Sequence, residues 1–132
     1  MFIHTSIRAR NMDQSIRFYS DFLGLEVIDR KHISSNNAEI AFLKDPAGKG
    51  AILELTFYRN QKIFSQADYE QRLFDHLAFE VDDMENIINK LRNAKVTITD
   101  EPFRLGPKGI LIAFIEDPNG ILIELIERKK PI

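Results

Sequence analysis

The sequence predicts an α+β fold that consists of two tandem β-α-β-β-β modules. Three observations predict it. Landmark residues recur at a constant offset, one amphipathic helical segment follows a short strand in each half, and an Asp-Pro-x-Gly turn precedes the last strand of each half. The chain has 132 residues, which is about the length of one domain.

Composition and charge exclude several classes of function. Hydrophobic content of 44% and charged content of 29% are ordinary for a soluble globular protein. The net charge of −2, without long runs of one sign, gives no reason to expect nucleic acid or an anionic membrane as a partner. Without cysteine there is no disulfide, thiolate metal site or cysteine nucleophile. With no signal-peptide pattern and no membrane-spanning run, we expect a cytoplasmic protein.

The first strand is predicted over residues 2–8 and contains His4. A helix should follow, because Asn11 is a favoured N-cap residue and Gln14 stands three positions on, as in a capping box. Gly24 is expected to end this helix. Its apolar positions recur at helical spacing: Met12, Ile16, Tyr19 and Leu23, with Phe22 beside them.

The rest of the first half is predicted to be three strands joined by turns. The turns fall at residues 34–37 and at the Asp-Pro-Ala-Gly segment 45–48. Glu54 lies in the last of the strands, between two leucines. The strands are expected over residues 25–31, 39–44 and 51–58.

The second half begins after a polar connector, residues 59–72, which we expect to be partly helical. A strand that holds His76 should follow, and Asp82 is the expected N-cap of the second helix, with Glu85 three residues on. The apolar stripe of this helix is Met84, Ile87, Ile88 and Leu91. The predicted strands are 74–81, 96–99, 110–115 and 121–127, and residues 129–132 are a frayed tail.

The two halves are related by an offset of 72 residues. The shift from Glu54 to Glu124 is 70, because Lys49 and Gly50 are two extra residues in the first half. An insertion of two leaves the facing of a strand unchanged. Coincidence among common turns is the alternative, and four landmarks with one offset argue against it. These landmarks are His4 and His76, Met12 and Met84, Asp45-Pro46 and Asp117-Pro118, and Gly48 and Gly120.

Glu124 interrupts a final strand that is apolar on both faces. Such a strand is usually buried on both sides, and a buried carboxylate needs a partner or a metal. The Asp-Pro-Asn-Gly segment 117–120 before it suits a type I turn. Asp45 and Asp117 are therefore interpreted as turn formers rather than catalytic groups.

Four side chains form a candidate metal site. Duplicated halves bring equivalent residues together around a pseudo-twofold axis, so His4, Glu54, His76 and Glu124 should meet. Two imidazoles and two carboxylates suit Ni²⁺, Co²⁺, Zn²⁺, Mn²⁺ or Fe²⁺, and water would fill the remaining octahedral positions. The alternative is that each histidine is an ordinary core or surface residue and each glutamate points outward from a half-buried strand.

Several segments resemble glyoxalase I (lactoylglutathione lyase) of the vicinal oxygen chelate superfamily. The resemblance covers nearly the whole chain. It rests on residues 4–8 (HTSIR), 12–19 (MDQSIRFY), 53–56 (LELT), 75–79 (DHLAF) and the hairpin 116–127.

The resemblance implies one domain, 1–132, of glyoxalase/bleomycin-resistance type with a cupped mixed sheet. Its modules span about 1–60 and 73–128, with the connector at 61–72. All four candidate ligands match the ligand positions of the family. Members of this compact kind use Ni²⁺ or Co²⁺ more than Zn²⁺. The family is homodimeric, and each site combines the N-terminal module of one chain with the C-terminal module of the other.

The reaction implied is isomerisation of the hemithioacetal of methylglyoxal and glutathione to S-lactoylglutathione. The metal stabilises an enediolate, Glu124 is the implied catalytic base, and Glu54 assists on the opposite face. Arg8 matches a position that holds a carboxylate of the cosubstrate glutathione. Tyr58 stands where the family has a glutathione-contacting Asn. Arg104 and Lys108 are candidates for binding an anionic substrate tail, or ordinary loop charges.

Other members of the superfamily supply the alternatives. Epimerases and thiol transferases often lack a glutamate at the position of Glu54, and extradiol dioxygenases have longer chains. A ligand-sequestering dimer of the bleomycin-resistance kind is an alternative that needs no metal.

Overall fold

The computed structural model describes residues 1–65, 68–107 and 109–128 of the chain. The chain divides into two compact units, Met1–Ser65 and Gln66–Ile132. The division falls inside the predicted connector, residues 61–72, and the interpretation of both units as one domain stays a prediction. The predicted tail, residues 129–132, lies outside the described residues.

Unit 1 contains one four-stranded sheet and one helix of three turns. Its sheet has the order β1-β4-β3-β2, in which β1 runs parallel to β4 and the other neighbours are antiparallel. A short 3₁₀ turn, Ser34–Asn36, lies at the predicted turn. The elements are β1 (His4–Arg8), α1 (Met12–Asp21), β2 (Glu26–Ile33), β3 (Ala38–Lys44) and β4 (Ile52–Tyr58).

Unit 2 has the same topology. Its sheet has the order β5-β8-β7-β6, in which β5 runs parallel to β8. The prediction of two β-α-β-β-β modules with mixed sheets is confirmed. The elements are β5 (Leu77–Glu80), α2 (Met84–Asn93), β6 (Ile98–Leu105), β7 (Ile110–Glu116) and β8 (Leu122–Glu127).

Each helix begins at a side-chain cap. Asn11 caps α1 as predicted, because its side chain accepts a hydrogen bond from the backbone N–H of Gln14 at 2.9 Å. The prediction for α2 was wrong by one residue, since Asp83 rather than Asp82 accepts from the N–H of Asn86 at 3.0 Å. Asp83 is 72 residues from Asn11, so the offset between the two halves indicates the correct N-cap residue.

The helices cover the apolar face of each sheet. In α1 the buried residues are Met12, Ser15, Phe18 and Tyr19, whereas the predicted Ile16 and Leu23 are half-buried. In α2 they are Met84, Ile88 and Leu91. The sheets contribute the alternating apolar residues of the central strands, which include the fully buried Leu43, Leu55, Ile115, Ile123 and Leu125. Neither helix of the described chain is long and apolar enough for a bilayer crossing.

Three predicted segments differ in the structure. The strand expected at 96–99 is longer in the structure, because β6 extends to Leu105 and includes Pro102. A proline is tolerated there, since β6 lies at the edge of the sheet and its pairing with β7 has register shifts, so that a missing N–H costs little. His76 lies immediately before β5 rather than inside a strand 74–81. The described part of the connector contains turns and no helix, because it has no apolar stripe at helical spacing.

Strand β8 is buried on only one face within its unit. Ile123 and Leu125 are fully buried, whereas Leu122, Glu124 and Ile126 on the opposite face are half-buried. The preceding turn is formed as predicted: Gly120 N–H donates to the carbonyl of Asp117 at 3.1 Å, and Asp117 Oδ1 accepts from two further backbone N–H groups. Asp45 has the same role, accepting from Gly48 N–H at 2.8 Å.

Candidate metal centre

In unit 1 the structure places His4 beside Glu54. His4 Nε2 lies 2.7 Å from Glu54 Oε2, and the two side chains are 34% and 14% exposed. The pair arises from strand register: Ser6 is opposite Glu54 on the parallel strands β1 and β4, so His4 reaches the carboxylate diagonally from the same face. One imidazole and one carboxylate thus point to a common position at the sheet surface.

Unit 2 repeats this pair with a wider gap. His76 Nε2 lies 3.9 Å from Glu124 Oε2, and the side chains are 32% and 19% exposed. The other ring nitrogen, Nδ1, lies 2.5 Å from Asp75 Oδ2. A carboxylate on the far nitrogen fixes the orientation of an imidazole, as is usual for histidines that ligate metals. Nε2 is therefore the nitrogen that is left to face Glu124.

A phenylalanine packs against each histidine. Phe42 lies edge-on to His4 with ring centroids 5.3 Å apart, and Phe114 lies edge-on to His76 at 5.7 Å. Phe42 pairs with Glu54 in the β3–β4 ladder, and Phe114 pairs with Glu124 in the β7–β8 ladder. The duplication therefore extends from the candidate ligands to the apolar groups that limit their motion.

The surroundings of the two glutamates differ. Thr56 Oγ1 lies 3.1 Å from Glu54 Oε1, and Ser6 Oγ lies 2.8 Å from Thr56 Oγ1. The residues at the equivalent positions of unit 2 are Ala78 and Ile126, which have no hydroxyl. Sequence reasoning missed this feature. The alternation of side chains along a strand could have indicated it, because Thr56 follows Glu54 by two residues and therefore lies on the same face.

The structure brings His4 beside Glu54 and His76 beside Glu124, each pair within its own unit. In the described ranges 1–65, 68–107 and 109–128, no three His, Cys, Asp or Glu side chains are grouped to hold a metal ion. Glu124 is not fully exposed, and it lies near the imidazole expected for it. The union of both pairs in one site, and its role in binding a cation, stay predictions.

Arg8 carries a positive charge at the end of the same polar face. Its guanidinium lies 4.2 Å from the centroid of the Tyr58 ring and donates a hydrogen bond to Gln61 Oε1. Among the described residues no carboxylate pairs with it, so its charge is available to a ligand.

The two loop residues proposed for an anionic substrate tail are Arg104 and Lys108. The guanidinium of Arg104 has a backbone partner, because its Nη1 donates to the carbonyl of Gly109 at 2.7 Å. Lys108 lies outside the described residues.

The connector is attached to the turn before β8 in unit 2. Tyr69 donates a hydrogen bond to Glu116, and Arg72 lies over the Tyr69 ring at 4.0 Å and donates to the carbonyl of Gly120 at 3.4 Å. Partial burial and the hydrogen bond to Glu116 raise the pKa of Tyr69 from 10.0 to about 12. This contact stabilises the segment that leads into His76.

Comparison with known proteins supports the resemblance to the glyoxalase family. Residues 2–125 match the model of the Glyoxalase/Bleomycin resistance protein/Dioxygenase superfamily. A probable lactoylglutathione lyase of Vibrio cholerae is 32% identical over 130 residues, which is 97% of this chain and 91% of that protein.

Two solved structures of glyoxalase I share the fold. The enzyme from Zea mays superposes with a TM-score of 0.81 at 25% identity, over 97% of this chain and 44% of that one. The trypanothione-dependent enzyme of Leishmania major gives a TM-score of 0.77 at 27% identity, over 96% of this chain and 86% of that one. The chain thus belongs to the Glyoxalase/Bleomycin resistance protein/Dioxygenase superfamily, and within it the chain is similar to lactoylglutathione lyases, which are carbon–sulfur lyases.

Proposed function

We propose that this chain is a metal-dependent lyase of the glyoxalase I type, which isomerises the hemithioacetal of methylglyoxal and glutathione to S-lactoylglutathione. The observation that carries the proposal is the recurrence of one His–Glu pair, with its packed phenylalanine, in both halves of a chain that is similar to lactoylglutathione lyases. A chain that only sequestered a ligand would have no need for two duplicated pairs of this kind.

The residues fit a divalent cation. His4, Glu54, His76 and Glu124 would supply two nitrogens and two carboxylate oxygens, a set that suits Ni²⁺ or Co²⁺, with Zn²⁺ as the alternative. The contact of 2.7 Å between His4 Nε2 and Glu54 Oε2 supports the proposal, because the two donor atoms already lie side by side on β1 and β4. When bound, the cation would act as a Lewis acid on two adjacent substrate oxygens and so acidify the neighbouring C–H.

The protein residues then have to move one proton. Glu124 accepts the proton from the carbon that bears sulfur and returns it to the adjacent carbon, so that the reaction is an isomerisation with no net gain or loss of atoms. Glu54 assists on the opposite face of the substrate. Both carboxylates are half-buried in their units.

Arg8 is proposed to bind a carboxylate of the thiol cosubstrate. A guanidinium grips a carboxylate through two parallel hydrogen bonds, and Arg8 has only neutral partners among the described residues. Tyr58, which replaces the family's Asn, lies under this guanidinium. Asn60 is close in sequence but out of register, and it accepts a hydrogen bond from Asn37 at 3.0 Å. Glutathione is proposed as the thiol because Arg8 matches the family position, and the replacement of the Asn by Tyr58 makes a different thiol the alternative.

We also propose a cytoplasmic homodimer in which each site joins the N-terminal module of one protomer to the C-terminal module of the other. Subunit mixing tests the sharing of sites. His4→Ala and His76→Ala homodimers should each be inactive, whereas their mixture should recover about a quarter of wild-type activity, because each heterodimer contains one intact site. Sites formed within one chain would leave the mixture inactive.

The function itself is tested by the metal content of the purified protein and by thioester absorbance with methylglyoxal and glutathione after addition of Ni²⁺. Bound metal together with turnover supports the proposal. Bound metal without turnover would indicate a different substrate on the same scaffold. A protein that binds neither Ni²⁺, Co²⁺ nor Zn²⁺ would instead be a ligand-sequestering member of the superfamily.

A further inference from the structure

The polar face shared by β1 and β4 contains three diagonal pairs of side chains. Successive residues of one face are two apart, so every second residue of β1 meets every second residue of β4. The first pair is the candidate ligand pair and the last is the cation–π contact of Arg8. The pairs are His4 with Glu54, Ser6 with Thr56, and Arg8 with Tyr58.

The middle pair forms a hydrogen-bond chain that ends on Glu54. A carboxylate only accepts, so the single proton of the Thr56 hydroxyl points to Glu54 Oε1 at 3.1 Å. Thr56 Oγ1 therefore accepts from Ser6, whose Oγ lies 2.8 Å away. Each oxygen of Glu54 then has one partner: Thr56 at Oε1 and His4 at Oε2. Thr56 itself is only 6% exposed, which protects this bond from competition by water.

Glu124 has no such support. The residues at the corresponding positions are Ala78 and Ile126, and β5 and β8 align Ala78 with Glu124 and Ile126 with Glu80. Among the residues that the structure describes, no side chain donates a hydrogen bond to Glu124, and its imidazole neighbour, His76 Nε2, lies 3.9 Å from Oε2. The two pairs therefore contain the same candidate ligands, but the residues around the two carboxylates differ.

We propose that Thr56, backed by Ser6, is a positioning residue that fixes the Glu54 carboxylate in the orientation in which it would bind the cation. The inference rests on the proposed function and adds to it a support that Glu54 has and Glu124 lacks among the described residues. A ligand that also acts as a base must loosen from the cation, and only one of the two is free of a second restraint. The two halves differ at the positions of Ser6 and Thr56, whereas their candidate ligands are of the same residue types.

The first test removes the hydroxyl. Thr56→Val keeps the shape of the side chain, and loss of an outer partner of a ligand typically lowers metal affinity by about 10-fold or more. We expect this loss in calorimetric titration with Ni²⁺, and an altered visible spectrum of the Co²⁺-loaded protein. Thr56→Ser should restore both properties. Ile126→Val, at the equivalent position of unit 2, should leave both unchanged, and melting of the metal-free variants checks that they are folded.

The second test builds the same chain behind the other glutamate. In the double variant Ala78→Ser/Ile126→Thr, the new hydroxyls should tether Glu124, so that metal affinity is kept or increased whereas kcat falls with little change in KM. An unchanged kcat in a folded, metal-loaded double variant would mean that a serine–threonine pair at these positions does not restrain the glutamate beside it, which would overturn the positioning role.

The outcomes separate the inference from the proposed function. If the wild-type protein binds no Ni²⁺ or Co²⁺, the proposed function fails before any variant is measured. If the wild type binds and turns over substrate while Thr56→Val matches it in affinity and in the Co²⁺ spectrum, only the positioning role is wrong.

Discussion

The imidazole Nε2 of His4 lies 2.7 Å from Oε2 of Glu54 across the parallel strands β1 and β4. A contact this short between a ring nitrogen and a carboxylate oxygen is a direct hydrogen bond, so the two candidate ligand atoms lie side by side on the sheet. The equivalent atoms of His76 and Glu124 are 3.9 Å apart, so the second pair leaves more room between its donors.

Metal removal should destabilise the protein. A cation that binds only the folded state stabilises it by about 2.7 kcal/mol when its concentration is 100 times the dissociation constant. Dialysis against a chelator should therefore lower the melting temperature in calorimetry, and readdition of Ni²⁺ or Co²⁺ should restore it. The variant His4→Ala, which lacks one donor, should melt at nearly the same temperature with and without metal. A wild-type melting temperature indifferent to chelation would contradict the metal site.

The two glutamates should respond differently to substitution by glutamine. Glu124→Gln should lower kcat by about 10²- to 10⁴-fold, the usual contribution of a positioned acid–base group, with a smaller change in metal affinity. Glu54→Gln should mainly lower metal affinity. Steady-state kinetics at saturating metal, together with calorimetric titration, separates the two effects. Glu80→Gln, an exposed change on β5, is the control. Equal effects of both substitutions on kcat and affinity would argue against separate roles.

Arg8→Met should raise KM for the hemithioacetal by about 10-fold with little change in kcat, because a contact made equally in ground and transition states affects binding alone. Arg8→Lys should recover only part of the loss, since an ammonium lacks the bidentate fork of a guanidinium. Arg17→Met, on the exposed side of α1, is the matched control. If KM is unaffected in Arg8→Met, the arginine is an ordinary residue at a strand end.

Asp83→Ala should lower the free energy of unfolding by about 1 kcal/mol, the usual cost of losing an N-cap side chain. The bond that is lost runs from Asn86 N–H to Asp83 Oδ1 at 3.0 Å. Asp82→Ala is a close control, because the residue is adjacent and does not cap α2. Urea unfolding of both variants measures the difference. A larger loss for Asp82→Ala would mean that the helix begins one residue earlier.

Stability should decrease at alkaline pH through Tyr69. The folded chain keeps the phenol proton up to about pH 12, whereas an unfolded chain loses it near the ordinary pKa of 10.0. Between these values the folded state binds more protons, so its stability is complete below pH 10.0 and falls as the pH rises towards about 12. Urea unfolding at several pH values should show this fall in wild type. Tyr69→Phe, which has no phenol to ionise, should show a shallower one.

The sequence was sufficient for features that depend on local spacing. The offset of 72 residues and the two extra residues Lys49 and Gly50 predicted that Glu54 and Glu124 are equivalent. Turn chemistry placed Asp117 correctly because its side chain bonds to backbone N–H groups only a few residues away. A repeat is visible by comparing the sequence with itself, and a turn depends on residues a few positions apart, so both can be recognised without knowing the fold.

Other features depend on which strands become neighbours. That Ser6 lies across from Glu54 and reaches Thr56 follows from the register of β1 on β4, two strands some 50 residues apart in the chain. Pro102 was tolerated in β6 because that strand lies at an edge of its sheet, which no local pattern shows. The sequence alone determined the module topology and the histidine and glutamate positions that recur in it. Only the tertiary structure decided their unequal surroundings, because hydrogen bonds across a sheet are set by pairing partners that are distant in sequence.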